Sequence, residues 1–367
     1  MQTVLSGRGC IAQLASTVTE WGCKKVLVVC DGAYDFLSLK SVVDSWDIAR
    51  VYFRDFTANP LYEDVCRGLS LFENEGCDGI VAIGGGSAMD VAKCVKLFSG
   101  LKKDTLFLSQ PFVDSKVPLF AVPTTAGTGS ESTRYAVIYY EGKKQSVTHE
   151  SIIPNGIVLD SDVLSTLPLY QRKCTMLDAL CQAIESAWSV HSTAESQEFS
   201  QAAVRAIVQH YQAYLKGDAL AEDALLQAAN LAGRAINITQ TTAAHAMSYQ
   251  LTKLYGLPHG HAVAVGLPRL WRYMCAHMSG CIDPRGEEYL KKVFLEIASW
   301  IGCPDALLAV TWFENLLLEL EIKDPKLQQA EELQLLCSSV NPDRLKNNPV
   351  ALDAAAIEQI YREILRN

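Results

Sequence analysis

No CxxC pair occurs in the 367 residues, which removes the usual sequence sign of a cysteine-held zinc or a dithiol redox centre. No basic block stands out and the net charge is −9, so nucleic acid is not an expected partner. No apolar run approaches the roughly 20 residues that cross a bilayer, so no membrane association is expected. The N-terminal MQTVLSGRGC lacks a charged start leading into an apolar core, so it does not read as a signal peptide. Internal repeats, low-complexity tracts and flexible linkers are missing too. These absences point to a cytoplasmic protein. Its 49% hydrophobic and 20% charged content is globular, and its length allows two domains and a sizeable core. The twelve cysteines are scattered and read as free thiols of a reducing compartment. Cys181 lies beside the candidate ligands described below; its simpler reading is a small buried hydrophobe.

What is present divides near residue 160. In the first part strands alternate with helices. KKVLVVCD (24–31), ARVYFRDF (49–56), DGIVAIGGGS (78–87) and the start of VPLFAVPTTAGTGSE (117–131) read as strands, and 61–76 and 88–98 as helices. RYAVIYYEGKK (134–144) reads as a hairpin arm. Such alternation predicts a parallel, doubly wound sheet. Beyond 160 the pattern is helical: 171–190, 195–215, 218–236, 240–255, 261–278, 287–301, 304–320 and 351–365. The division expected is 1–160 as an α/β nucleotide-binding domain and 161–367 as an all-helical domain, with a small-molecule cleft between them.

Two loops and two helical half-sites carry the chemistry. Gly84-Gly85-Gly86-Ser87 ends a strand and opens a helix, where bare backbone and a helix N-terminus suit a pyrophosphate. The GxGxxG fingerprint is absent, and a triple glycine alone is equally a turn. Thr124 to Glu131 adds hydroxyls and two glycines after a second strand, which strengthens the nucleotide reading. Asp31, ending its strand, suits an adenosine ribose and would repel a 2′-phosphate; otherwise it is a helix N-cap. In the second part, LDALCQAIES puts Asp178 and Gln182 four apart on one helical face. HAMSYQLTKLYGLPHG puts His245 and His259 fourteen apart. Asp, Gln and two His could converge on one divalent metal; by spacing alone, caps and solvated faces remain open. Nucleotide loops together with a metal suggest hydride transfer to or from a carbonyl.

IGGGSAMDVAK, PTTAGTGSE, LDALCQAIES and HAMSYQLTKLYGLPHG, in this order, resemble the iron-containing (group III) alcohol dehydrogenase family, and the likeness runs nearly end to end. The resemblance implies a Rossmann-like N-terminal domain and an all-helical, dehydroquinate-synthase-like C-terminal domain. It implies NAD(H), preferred here over NADP(H), a divalent Fe2+ or Zn2+, and a homodimer. The implied metal ligands are Asp178, Gln182, His245 and His259, with Gln182 where the family has histidine. Tyr249 stands where the family usually has a proton-relay histidine, so the catalytic set is His245, His259 and Tyr249. The implied cofactor contacts are Asp31, Asn59, Gly85, Gly86, Ser87, Asp90, Thr124, Thr125, Thr128 and Lys144.

A narrower likeness, carried by ALCQAIESAWSVHSTAES, INITQTTAAHAMSYQLTKLYGLPHGHAV and VNPDRLKNNPV, is to the phosphonoacetaldehyde reductase branch. It implies reduction of phosphonoacetaldehyde to 2-hydroxyethylphosphonate. A phosphonate dianion needs cations and donors; Arg134, Lys253 and His261 are the candidates, with Thr241 and Thr242 as neutral donors. The alternatives are a generic primary alcohol dehydrogenase of the lactaldehyde, propanediol or butanol type, a dehydroquinate-synthase-like lyase, and a catalytically silent assembly protein.

Overall fold

The computed structural model describes residues 2–365; residues 1 and 366–367, at the outer ends of the expected division, lie outside the described residues. Two compact units emerge: one runs through Leu167 and takes in Lys216–Asn230, and the other comprises Pro168–Leu215 and the chain from Leu231 onward.

The first unit holds a six-stranded sheet. Its strands are β1 (Thr3–Ser6), β2 (Lys25–Cys30), β3 (Ala49–Phe53), β4 (Gly79–Gly84), β5 (Leu119–Pro123) and β8 (Gly156–Leu159), ordered β1-β8-β5-β4-β2-β3. Every pairing in it is parallel. The central strands KVLVVC, GIVAIG and LFAVP are apolar almost throughout and buried, as strands covered on both faces must be. From β2 the chain goes to β3 on one side and then to β4 on the other. The order therefore reverses between β2 and β4, the kind of point where open α/β sheets bind ligands. Four helices accompany these strands: α1 (Leu14–Glu20), α2 (Lys40–Asp44), α3 (Tyr62–Asn74) and α4 (Gly86–Phe98). The hairpin is antiparallel β6 (Tyr135–Tyr140) and β7 (Lys143–Thr148), and its arm runs past the expected residue 144. Glu141 and Gly142 turn it with φ of 49° and 71°, the paired positive values of a two-residue hairpin loop.

The second unit is helical: α5 (Leu169–Trp188), α6 (Ala194–Leu215), the end of α7 (Ala219–Thr239), α8 (Ala243–Tyr255), α9 (His259–Ala276), α10 (Glu287–Ile301), α11 (Ala306–Glu319), α12 (Ala330–Ser339), α13 (Pro342–Leu345) and α14 (Ala354–Ile364). Its core includes Trp188, Trp271 and Phe294, whose rings meet edge to face at 5.4–6.0 Å. α12 and α13 were not expected, because they offer little apolar stripe; only Leu336 of α12 is buried. Among the described residues no single helix is long and apolar enough to cross a membrane.

One departure from the expected division concerns Lys216–Asn230. That stretch reads as one more helix of the second part, yet it belongs to the first unit. Polar side chains explain this. Glu222 pairs with Arg8 at 2.6 Å, Asp223 accepts from Ser161, and Asn230 donates to Glu131 at 2.9 Å and Ser132 at 2.7 Å. Apolar periodicity announces a helix but does not say what it packs on.

Candidate active site

In the second unit, α5 carries Asp178 and Gln182 one turn apart, α8 carries His245, and α9 opens on His259 after Pro258. The spacing did bring three of the four candidates together: one ligand atom from each of Asp178, His245 and His259 lies within 4.8 Å of the others. His245 Nε2 is 3.3 Å from Asp178 Oδ1, and His259 Nε2 is 3.8 Å from the same oxygen. α9 reaches this position because Gly260 lets it press against α5. A Cβ there would stand 1.9 Å from the Cys174 carbonyl oxygen and 2.9 Å from Asp178 Cβ.

The fourth candidate supplies the test of fit. Gln182 is buried and its Oε1 has no hydrogen-bond partner. A buried acceptor left bare costs free energy unless something satisfies it. A divalent cation would do so, and two carboxylate-flanked imidazoles beside it are ordinary first-row ligands. The residues present therefore fit a metal.

Sequence reasoning missed Glu185, which is fully buried. One of its carboxylate oxygens bonds His245 Nδ1. The other accepts from the Thr242 hydroxyl at 2.7 Å and from the N–H groups of Thr242 (3.0 Å), Ala244 (3.0 Å) and His245 (3.4 Å). Glu185 thus caps α8 and fixes the ring, leaving Nε2 for the Asp178 side. The signal was available: Glu185 stands three residues after Gln182 and seven after Asp178, on the same helical face. Burial would lower the His245 imidazole, but Glu185 and Asp178 outweigh it and push the ring up to about 10. Burial would raise the Asp178 carboxyl; His259, His245 and the Gln182 amide outweigh it and hold it below its usual value. The pocket favours positive charge. Replacing Glu185 with glutamine is expected to weaken metal affinity about 10- to 100-fold. Chelator competition measures this, and unchanged affinity would leave Glu185 with a capping role only.

Tyr249, one turn beyond His245, stacks on the His259 ring at 5.9 Å with 2° between planes. Arg344 of α13 places its guanidinium 5.5 Å from the Tyr249 ring centre. Cys181 is buried, and burial, Glu185 and Asp178 all raise its thiol, so it is an inert core residue. All twelve cysteines are free.

Of the three substrate candidates, Arg134 lies in the first unit and Lys253 and His261 in the second. Arg134 is ion-paired with Glu150 and donates from Nε to Tyr135 at 3.2 Å. Lys253 is exposed, just over two turns past His245 on α8. His261 is occupied on both ring nitrogens, by the Tyr170 hydroxyl and the Lys323 carbonyl, each at 2.8 Å, and is 5% exposed. That geometry corrects its reading as a substrate donor, since no ring nitrogen remains. Thr242 is likewise committed, to Glu185 and to the Trp188 indole.

In the first unit the nucleotide loops meet. Thr124 N donates to Gly84 O at 3.0 Å. A Cβ added at Gly86 would press on Thr128 at 3.2 Å, so bare backbone there eases the approach of the two loops, whereas one at Gly85 would meet Thr125 at an ordinary 3.6 Å. Asp31 Oδ1 caps the turn after β2 by accepting from Ala33 N at 2.9 Å, so the cap alternative does form. Its Oδ2 lies 3.7 Å from where a Gly84 Cβ would be, at the reversal point of the sheet. Asn59 is exposed, and Ser87 Oγ donates to the neighbouring Ala58 carbonyl. Burial raises the Asp90 carboxyl, opposed by Lys93, the Val137 N–H and Lys144. Lys93, also missed, is 1% exposed and donates to Ser130 O (2.6 Å), Thr133 O (2.8 Å) and Tyr135 O (2.8 Å), tying α4 to the Thr/Gly-rich loop.

Known proteins resemble this chain in sequence and fold. The family model for iron-containing alcohol dehydrogenase matches residues 2–161, and that for the Fe-containing alcohol dehydrogenase family, C-terminal, matches 173–365. Phosphonoacetaldehyde reductase of Streptomyces viridochromogenes is 35% identical over 300 residues, spanning 78% of this chain and 76% of that protein. Lactaldehyde reductase of Escherichia coli is 30% identical, with the same 78% and 76% coverage. A sulfoacetaldehyde reductase from Bifidobacterium kashiwanohense, solved in complex with NAD+, shares the fold: TM-score 0.88, 24% identity, 99% of this chain and 97% of that one.

Proposed function

The chain belongs to the iron-containing alcohol dehydrogenase family, and from that premise we propose that it reduces phosphonoacetaldehyde to 2-hydroxyethylphosphonate with NADH. That it is an oxidoreductase acting between an alcohol and an aldehyde follows from the family itself. The two family matches also set aside the lyase alternative. The observation that carries the reading is the convergence of Asp178, His245 and His259 beside the bare oxygen of Gln182.

Asp178, Gln182, His245 and His259 would hold Fe2+ or Zn2+, which supplies Lewis-acid polarisation of the carbonyl, while NADH supplies the hydride. Glu185 holds His245 in the tautomer that offers Nε2. Asp178 brings the negative charge the site needs. Tyr249, stacked on His259, is the chain's phenol for delivering a proton to the nascent alcohol. Gly84–Ser87 and Thr124, Thr125 and Thr128 would cradle the pyrophosphate, and Lys93 keeps the second loop in place. Asn59, Asp90 and Lys144 complete the proposed cofactor set. A cytoplasmic homodimer is part of the same reading.

Asp31 bears on cofactor choice. A carboxylate at the reversal point bonds ribose hydroxyls and repels a 2′-phosphate. Asp31→Gly is expected to narrow the NADH-over-NADPH ratio of kcat/KM; a wild-type preference for NADPH would show that Asp31 is misplaced. The substrate is tested by NADH oxidation with phosphonoacetaldehyde, lactaldehyde and propionaldehyde side by side. A clear lead for phosphonoacetaldehyde supports the reading, and parity with the neutral aldehydes leaves a generic alcohol dehydrogenase.

A further inference from the structure

The segment VNPDRLKNNPV is not explained by the metal site or by the cofactor loops. It forms α13 and the turn after it. Asn341 starts α13 by accepting from Asp343 N at 2.9 Å, with Pro342 in the first turn. Asn347, 4% exposed, fastens the other end. Its Nδ2 donates to the carbonyls of Thr239 (2.7 Å) and Thr241 (2.9 Å), and its Oδ1 accepts from the Ser189 hydroxyl at 2.6 Å. Asn348 Nδ2 donates to Val350 O at 2.7 Å. Thr239 closes α7 and Thr241 lies in the short link to α8, the helix that carries His245 and Tyr249. The piece of backbone bearing Arg344 is therefore bolted to the base of the helix bearing a metal-ligand candidate.

Arg344 is half-buried, and its Nη1 lies 3.4 Å from the Tyr249 hydroxyl. Among the described residues no carboxylate stands within ion-pair distance of it. Comparable arginines of the same unit are neutralised: Arg269 by Asp324 at 2.5 Å and Arg285 by Asp283 at 2.7 Å. The adjacent Asp343 pairs instead with Lys346 at 2.7 Å. Tyr249 thus neighbours both the His259 ring, a metal-ligand candidate, 5.9 Å away and the Arg344 guanidinium, 5.5 Å from its ring centre, for which no carboxylate counter-charge stands among the described residues. A planar fork of donors beside an aromatic face, held without an internal acid, is the chemistry that takes an oxyanion in two parallel hydrogen bonds.

We propose that Arg344 is the residue by which this site selects a short aldehyde carrying a terminal tetrahedral oxyanion, a phosphonate or a sulfonate. The inference rests on the aldehyde-reductase reading above. It replaces Arg134 and His261, whose donors are committed elsewhere. Asn347 acts through Arg344 as a positioning residue.

The test compares wild-type enzyme, R344Q and R344K, each loaded with metal, for NADH-dependent reduction of phosphonoacetaldehyde, sulfoacetaldehyde and propionaldehyde. The readout is the ratio of kcat/KM on each anionic aldehyde to that on propionaldehyde, so any general loss cancels. One charge-assisted contact removed should lower the phosphonate ratio about 10- to 100-fold in R344Q. R344K, which keeps the charge but not the fork, should fall between. The sulfonate arm tells which anion the site prefers. Calorimetric titration of ethylphosphonate into the loaded proteins should show at least about tenfold weaker binding to R344Q. A wild type that favours an anionic aldehyde while R344Q keeps the same ratio and the same ethylphosphonate affinity overturns the role of Arg344 and leaves the substrate reading standing. A wild type with no preference for either anion overturns both.

Discussion

Gly260→Ala is expected to abolish stoichiometric metal binding and, with it, aldehyde reduction. The added Cβ would lie 1.9 Å from the Cys174 carbonyl oxygen and 2.9 Å from both the Cys174 carbonyl carbon and Asp178 Cβ. Two of those atoms are backbone, so no rotamer change relieves the clash, and α9 must lift from α5. His259 is the first residue of α9 and Asp178 belongs to α5, so the movement falls directly on two of the proposed ligands. Metal–ligand distances tolerate only about 0.2 Å, whereas relief of this overlap takes roughly an ångström. Overpacking of this kind also costs about 1–3 kcal/mol, so melting of the apo protein should drop by several degrees. Gly266→Ala, in the same helix, is the matched control. Its Cβ would meet only Ile364 Cδ1 at 3.8 Å, an ordinary contact, and alanine is the better helix former. Elemental analysis of the two variants decides the matter: full metal occupancy in Gly260→Ala would mean that α9 can lift without moving His259.

The contrast between those two glycines shows where sequence reading works and where it stops. Both sit in a helical pattern, and nothing local distinguishes the one whose Cβ would strike a carbonyl from the one whose Cβ would make an ordinary contact. The candidate cluster was legible because Asp178 and Gln182 stand at helical spacing and His259 follows Pro258 at a helix start, and such local rules survive folding. Glu185 lay on the same face and was passed over, because a lone acid in a helix reads as solvated until its burial is known. His261 failed in the opposite direction: next to the site in sequence, it turns to Tyr170 and Lys323, which are far from it along the chain. The central strands announced themselves as apolar runs. The short pair β1 and β8 did not, since Thr3–Ser6 pairs with Gly156–Leu159 across some 150 residues and neither has the length to signal alone. Arg344 was inside a segment marked for its likeness to a branch of the family, but its significance comes from the missing counter-ion, and sequence does not report who pairs with whom.

Asp178→Ala is expected to have the largest effect of any single side-chain truncation at the site. Asp178 is the point where the two imidazoles meet, 3.3 Å from His245 and 3.8 Å from His259, and it is 3% exposed. Without its charge, three neutral ligands remain, two imidazoles and one amide, around a cavity in α5. A divalent ion bound there loses its only anionic ligand among the four, and neutral donors compete poorly with water for hard or borderline cations. Metal content should fall to background. Lewis-acid stabilisation amounts to several kcal/mol, so kcat/KM should drop by roughly three decades or more. Gln182→His makes the complementary change. It replaces the bare amide oxygen with an imidazole at the same helical position, and metal affinity should rise while the fold is kept. If Gln182 instead stays clear of the ion, the new histidine will leave affinity where it was. Measuring bound iron and zinc in both variants, with chelator competition for the second, separates these outcomes. Full activity in Asp178→Ala protein stripped of metal would end the Lewis-acid account and leave orientation by Tyr249 and the cofactor to explain the rate.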